Sequence, residues 1–337
     1  MEDFAVVSQK LIPLSDPIQW QAALQNVPHA FGHTWESCYA MHLTTGYPTN
    51  LHVWQSSEAK VVFPLAERTY QGYTDVVTPY GFSGFVGTGT FVNFMLAWRR
   101  FAVQTGYVCG YIALNPVLGT QVELNLEDIF VPNRLYVVNL QLSVNELYQK
   151  LSQNRKRQLK DFENQKHLYS FDKLALKDFF ISNYHSFFAS KTAANIYNFS
   201  LLTLSALVDN EKVLLIGYTE NSQVKAVVVL AYTDYMGEYL FNLSLPGYEN
   251  QTTPLLWHSA LCLKEKGIPY LNLGGGVNPG DSIASFKQRF GPLDLPLRCL
   301  KQVYREKLYN TLCEQAKVDP ADRTGYFPAY RRFSQKI

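Results

Sequence analysis

Two stretches far apart in the chain follow one plan. "SSEAKVVFPLAERTYQG" (56–72) and "TENSQVKAVVVLAYTDYMG" (219–237) set Lys60, Leu65, Tyr70 and Gly72 against Lys225, Leu230, Tyr235 and Gly237 at one constant offset. Further on, "WRRFAVQTGYVCGYIAL" (98–114) and "WHSALCLKEKGIPYLNL" (257–273) have equal length, each running from a tryptophan through Gly106 or Gly267 to a leucine. A duplication constrains the fold more than composition can, because both halves must reach the same architecture.

Each half reads as strand, turn, strand, turn, strand, loop, helix, strand. In the second half the apolar runs predict strands at about 212–219, 223–234, 236–244 and 268–273, with a helix from about 254 to 266. Thr253 and Pro254 open that helix with a capping hydroxyl and a proline in the first turn. Hairpin-linked strands followed by a helical crossover give a mixed sheet with helices on its faces. The fold class is therefore α/β (α+β), with two tandem domains at 1–142 and 143–297. At 337 residues the length agrees with two cores. The junction "LSVNELYQKLSQNRKRQLKDFENQK" (142–166) lacks proline and glycine and reads as helical.

Charge narrows the function classes. The net charge is +2 and only 17% of residues are charged, so no field of the whole molecule draws in DNA or a membrane, and any anion site is local. The longest apolar runs, such as 226–232, fall far short of the roughly 20 residues of a membrane span. The acidic start "MEDFAVVSQKLIPLSD" is unlike a signal peptide. Five scattered cysteines, never in a C-x-x-C pair, fit reduced thiols in a cytoplasm. The seven histidines form no H-E-x-x-H and no Cys/His cluster, so no metal is expected. Pro279 occupies the last position of a would-be G-x-G-x-x-G, and no Walker lysine follows, which argues against dinucleotide binding and phosphoryl transfer.

Chemistry concentrates in "YLNLGGGVNPGDSIASFKQRFG" (270–291), where a short strand runs into three glycines, a turn and a helix. Ile283, Phe286 and Phe290 fall at i, i+3 and i+7 and predict one buried face; Lys287 lies on that face. A lysine there either carries its ammonium out to water or meets an anion, because an unpaired buried charge is costly. Gly274, Gly275 and Gly276 let the backbone approach a ligand, and the helix, capped by Asp281, aims free N–H groups at the loop.

The basic run "NRKRQLK" brings Arg155, Lys156, Arg157 and Lys160, which either hold phosphates or form a solvated face balanced by Asp161 and Glu163. "TPYGFSGF" (78–85) nearly contains G-x-S-x-G around Ser83, but Phe85 replaces the final glycine, which rules out a nucleophile elbow. In "FGHTWESCYA" (31–40), Thr34 caps a helix, while His33, Trp35 and Glu36 are candidates for acceptor contact or for packing.

The glycine-terminated strand and the F-K-x-x-F helix resemble the acyltransferases of the GNAT superfamily. More narrowly, they resemble its FemABX-type branch, which carries two tandem GNAT-like domains. The resemblance runs from "FGHTWESCYA" through "PYGFSG" to "FKQRFG". It implies an N-acyltransferase with an active cleft between the domains and with 298–337 packed back on the first. It implies Lys287 as the catalytic cation that stabilises a tetrahedral oxyanion. It places Arg157 at a substrate phosphate and Tyr80 and Gly81 in the cleft lining. The donor would be an acyl-CoA, another acyl thioester or an aminoacyl-tRNA. The acceptor would be a small-molecule or nucleotide-linked amine, such as a bacterial cell-envelope precursor.

In GNAT enzymes a glycine-rich loop cradles the coenzyme A pyrophosphate. The corresponding "PGYENQTTP" (246–254) has one glycine and the acidic Glu249, with Tyr248 as a lining candidate. No sustained heptad marks the coiled-coil arm of tRNA-using relatives. Two further readings stay open: a tRNA-dependent aminoacyl transferase acting on a peptidoglycan-type precursor, and a catalytically silent protein that binds a glycan or peptide precursor.

Overall fold

The computed structural model describes residues 8–91, 93–118, 124–190 and 198–333. The first seven residues of the acidic N-terminal stretch and the last four of the tail lie outside them. In chain order the elements begin with β1 (Ser8–Pro13), α1 (Pro17–Leu24), α2 (Trp35–Thr45), β2 (Thr49–Gln55), β3 (Lys60–Tyr70) and β4 (Tyr73–Val77). There follow β5 (Val86–Thr88), α3 (Phe94–Thr105), β6 (Cys109–Ala113), β7 (Ile129–Asn139), α4 (Val144–Lys150), α5 (Gln153–Gln158) and α6 (Phe162–Gln165). Next come β8 (Tyr169–Ser170), α7 (Lys173–Ser190), α8 (Leu201–Asp209), β9 (Val213–Glu220), β10 (Gln223–Tyr232) and β11 (Gly237–Ser244). The chain ends with α9 (Thr252–Glu265), β12 (Tyr270–Asn272), α10 (Ser282–Gln288), β13 (Leu293–Val303) and α11 (Glu306–Gln315).

Two compact units result, one of Met1–Pro132 with Pro296–Ile337 and one of Asn133–Leu295. The junction expected after Leu142 falls instead inside β7, and the second division falls inside β13. Both lie at a proline within a strand, where no change of composition marks them.

In the first unit β1, β2, β3 and β4 are antiparallel neighbours. β6 then joins β4 in parallel through Val76↔Gly110 and Val77↔Tyr111. In the second, β9, β10 and β11 form the antiparallel meander. β12 joins β11 in parallel after the crossover helix α9, as β6 follows α3 in the first. Trp98 on α3 and Trp257 on α9 are both buried. Both helices are followed by a left-handed glycine, Gly106 at φ +88° and Gly267 at φ +77°. The matched Gly72 and Gly237 differ in role. Gly72 takes φ +82° in the β3–β4 turn, whereas Gly237 opens β11 where a Cβ would come within 2.5 Å of Leu263 Cδ1.

The stretch 142–166 is broken into α4, α5 and α6 instead of one helix. Ser143 and Ser152 each start a helix by accepting a backbone N–H, from Glu146 and from Arg155. Between them Leu151 turns extended, and the Ser152 N–H is captured by the Arg289 carbonyl at 2.9 Å. The broken path lets Leu147, Leu151, Leu159 and Phe162 all enter the core of the second unit.

The first unit is pinned by an ion cluster. Asp75, fully buried, accepts from Arg68 Nε at 2.7 Å and from Arg331 Nε at 2.6 Å, and Tyr330 donates to it at 3.1 Å. Removing one partner of such a cluster strands uncompensated charge. Asp75→Ala is expected to cost about 3–5 kcal/mol of stability, read as a lowered midpoint in urea unfolding.

Candidate active site

The second unit gathers Lys287, the three glycines and Asp281. β12 ends at Asn272, and the chain then leaves β11. Parallel pairing between them covers only Gly237↔Leu271 and Glu238↔Asn272, although β11 continues to Ser244. The strands thus fork. Leu273 and Gly274 pass to the β7 side, with Leu273 N donating to Tyr136 O and Tyr136 N to Gly274 O. Asn272, 2% exposed, folds its side chain forward to accept from Gly274 N at 2.8 Å.

Each glycine has its own steric cause. Gly274 sits at φ +74°, and a Cβ there would lie 3.2 Å from the Lys287 ammonium. At Gly275 a Cβ would press on the Arg134 carbonyl at 2.6 Å. At Gly276 it would meet Asp281 Oδ1 at 2.3 Å. The Gly276 carbonyl is braced by Asn133 Nδ2 at 2.8 Å. Asp281 caps α10, accepting from Ala284 N and Val277 N at 2.7 Å and from Asn278 N at 2.9 Å. Burial works against its charge, yet these backbone bonds hold the carboxyl below its ordinary range.

Lys287 is 8% exposed. Its ammonium donates to the Gly275 carbonyl at 2.6 Å and stands 5.8 Å from the centre of the Tyr239 ring on β11. Burial lowers its pKa to about 8, and the charge of Asp281 limits the fall. At pH 7 the protonated form dominates by about tenfold. The apolar face differs from expectation: Ala284, Lys287 and Phe290 point inward, whereas Ile283 is 43% exposed. The cap at Asp281 sets the rotation of this short helix, and Ile283 is turned toward solvent.

The remaining candidates are spread out. Arg157 on α5 is exposed and donates to Asn154 Oδ1 at 2.9 Å. With Lys156 and Lys160 it lines a groove of about 870 Å³ whose wall includes Tyr148, Phe162 and Trp257. Tyr248 donates to Glu220 Oε2 at 2.5 Å, and this bond, with burial, raises its pKa. The Gly247 N–H before it is taken by Glu249 at 3.0 Å. Thr253 does not cap α9: its hydroxyl instead donates to Gln158 Oε1 at 3.0 Å and accepts from Arg155 at 2.9 Å.

Tyr80 and Gly81 belong to the first unit, where Gly81 has φ +109° and open space where a side chain would stand. The nearby Phe85 packs edge-on against Phe63 in the core, and buried His33 bonds the Gly84 carbonyl at 2.8 Å. Both are structural.

Sequence reasoning placed Arg155 with the phosphate-binding or solvated run and missed its burial: it is 3% exposed. Its signal was present: Leu151, Arg155 and Leu159 fall at i, i+4 and i+8, the same placement of a cation in an apolar stripe that singled out Lys287. Among the described residues no group of side chains could hold a metal ion, and no helix is long and apolar enough to cross a membrane.

No protein-family model matches the chain, and no curated protein matches it. Among solved structures, FemX superposes with a TM-score of 0.66 over 90% of this chain and 99% of its own, at 11% identity. The chain carries the FemX fold. The tandem GNAT-like architecture expected from the repeat and the F-K-x-x-F helix is therefore present. A conserved protein of unknown function from Bacteroides thetaiotaomicron VPI-5482 gives a TM-score of 0.59 over 88% of this chain and 100% of its own, at 10% identity. L-PGS from Bacillus licheniformis gives 0.54 over 86% and 92%, at 13% identity.

Within this FemX-like fold, Asp281 is the acid that acts on Lys287. Asp281→Asn keeps a capping oxygen and removes the charge that supports the ammonium. The Lys287 midpoint is expected to fall below about 8, measured by pH-dependent amine labelling of the peptide that carries it.

Proposed function

We propose that the chain is an acyl- or aminoacyl-transferase that moves an activated acyl group onto an amine, with Lys287 stabilising the oxyanion. The observation that carries this reading is the Lys287 ammonium, buried beside the fork between β11 and β12 and still protonated near neutral pH. Attack of an amine on an ester or thioester carbonyl puts negative charge on the carbonyl oxygen, and collapse of that intermediate breaks the C–O or C–S bond and releases the alcohol or thiol with the proton the amine gives up. A fixed donor in a water-poor site opposes that charge more effectively than bulk water does, by about 3–4 kcal/mol for one donor. The ammonium has three N–H groups, of which Gly275 takes one. The fork leaves β11 beyond Glu238 without β12 beside it, an edge that suits an extended donor segment. The fold shared with FemX supports the same class of reaction.

Two features favour a donor other than acyl-CoA. In the loop before α9, Glu249 occupies the Gly247 N–H that a pyrophosphate would need. At the start of that helix Thr253 is engaged with Arg155 and Gln158. An aminoacyl-tRNA ester carries no pyrophosphate for this loop to hold. Arg157, with Lys156 and Lys160, would hold phosphates of a tRNA-borne donor or a nucleotide-linked acceptor. Tyr80, Gly81 and Tyr248 are proposed as substrate contacts.

Lys287→Ala is expected to lower kcat on the order of a hundredfold or more, followed by mass spectrometry of the acylated amine. In the wild type, kcat should decline as pH rises through about 8, because the ammonium is the active form. Near wild-type turnover in the variant would refute the role of Lys287, whereas no turnover in the wild type itself would favour the silent binding protein. Saturable binding of acetyl-CoA in calorimetry would reverse the choice of donor.

A further inference from the structure

Arg155 is a buried cation that the proposed chemistry does not use. It is 3% exposed, and no carboxylate among the described residues pairs with it. Burial, and then the positive charge of Arg289, lowers its pKa to about 10. Among the described residues Nε has no hydrogen-bond partner. A Met or Leu would fill the same space without this penalty.

The guanidinium joins three helices. From α5, Nη1 donates to Gln158 Oε1 at 2.6 Å and to Thr253 Oγ1 on α9 at 2.9 Å. Nη2 donates to the Phe286 carbonyl on α10 at 3.2 Å. The guanidinium also stands over two rings of the F-K-x-x-F motif, Phe286 at 4.1 Å and Phe290 at 5.0 Å. Phe286 and Phe290 flank Lys287 in sequence. A planar fork can meet all of these at once; a lysine ammonium cannot.

α10 spans Ser282–Gln288, too short to hold its own rotation through internal bonds. Asp281 fixes its first turn, and Arg155 supplies the matching hold on its last turn, where a cation near carbonyls is favourable. We propose that Arg155 is the positioning residue for Lys287, clamping the carboxyl end of α10 so that the ammonium stays under the glycine loop at the Gly275 carbonyl. The catalytic consequence rests on the reading of Lys287 given above; the positional one does not. The groups facing the ammonium are Asp281 from its own helix, the Tyr239 ring from β11 and the Gly275 carbonyl.

The test is competitive amine labelling of Lys287 against pH, read by mass spectrometry, in wild type, Arg155→Met and Arg155→Lys, with thermal unfolding in parallel. Wild type should be half-labelled near pH 8. Arg155→Met should remain folded, with its Lys287 midpoint raised by about one pH unit or more as the ammonium regains water. Arg155→Lys should fail to restore it. In the transferase assay both variants should lose kcat about tenfold or more, with little change in KM. A Lys287 midpoint unchanged in Arg155→Met would overturn the proposal and leave Arg155 a packing residue. Should that variant not fold, Phe290→Leu removes one wall of the clamp; an upward shift supports the proposal and an unchanged midpoint overturns it. Labelling requires no turnover, so a failed transferase reading and a failed clamp give different results.

Discussion

Holding the Lys287 ammonium out of water is the constraint around which the second unit is arranged. Removing a cation from solvent costs several kcal/mol unless nearby groups offset it. Here the offset comes from one backbone carbonyl, one aromatic face and one carboxylate at the other end of the same short helix. The carbonyl can turn inward only because Gly274 adopts φ +74° and because Gly275 and Gly276 bring no side chain into crowded space. The loop holds that shape because Asn133, Tyr136 and Asn272 satisfy its backbone groups. Strand fork, glycines, cap and brace converge on one buried charge.

The first unit keeps the architecture without the glycine loop. By the equal spacing from the tryptophans, Leu114 stands where Leu273 does, and Asn115 and Pro116 stand where Gly274 and Gly275 do. Instead of opening into a glycine loop, the chain closes on itself, with Asn115 Oδ1 accepting from Val117 N at 2.9 Å and Leu118 N at 2.8 Å. Among the buried charges of this unit, Asp75 is neutralised by two arginines, while Lys301 donates to the Arg323 and Gly325 carbonyls. A fully paired charge is a structural pin. The Lys287 charge is offset instead by one carbonyl, one aromatic face and the nearby charge of Asp281.

Much of the fold was legible because it follows from local periodicity and from duplication. The strands 213–220, 223–232 and 237–244 lie close to where the apolar runs placed them, since buried strands must be apolar whatever lies beyond them. Lys287 was legible as a cation in an apolar stripe, and Asp281 as a cap. Other features depended on remote partners. Ile283 fits the stripe by spacing yet is turned outward, because Ala284 and Lys287 have the loop and Tyr239 to meet. Thr253 reads as a cap and is drawn away by Gln158 and Arg155. In "NRKRQLK", Arg155 and Arg157 are chemically identical, and only the line of Leu151 and Leu159 separates the buried one from the exposed one.

The sequence by itself determined that the chain is a duplicated mixed-sheet protein, and that one cation sits among apolar residues behind three glycines. Those properties are carried by spacing along the chain. Only the tertiary structure decided that β12 leaves β11 after two residue pairs, that Gly275 supplies the carbonyl, and that Arg155 grips the far end of α10. Each of these needs segments distant in sequence to meet. Periodicity says which side of an element faces inward but does not say what it meets there.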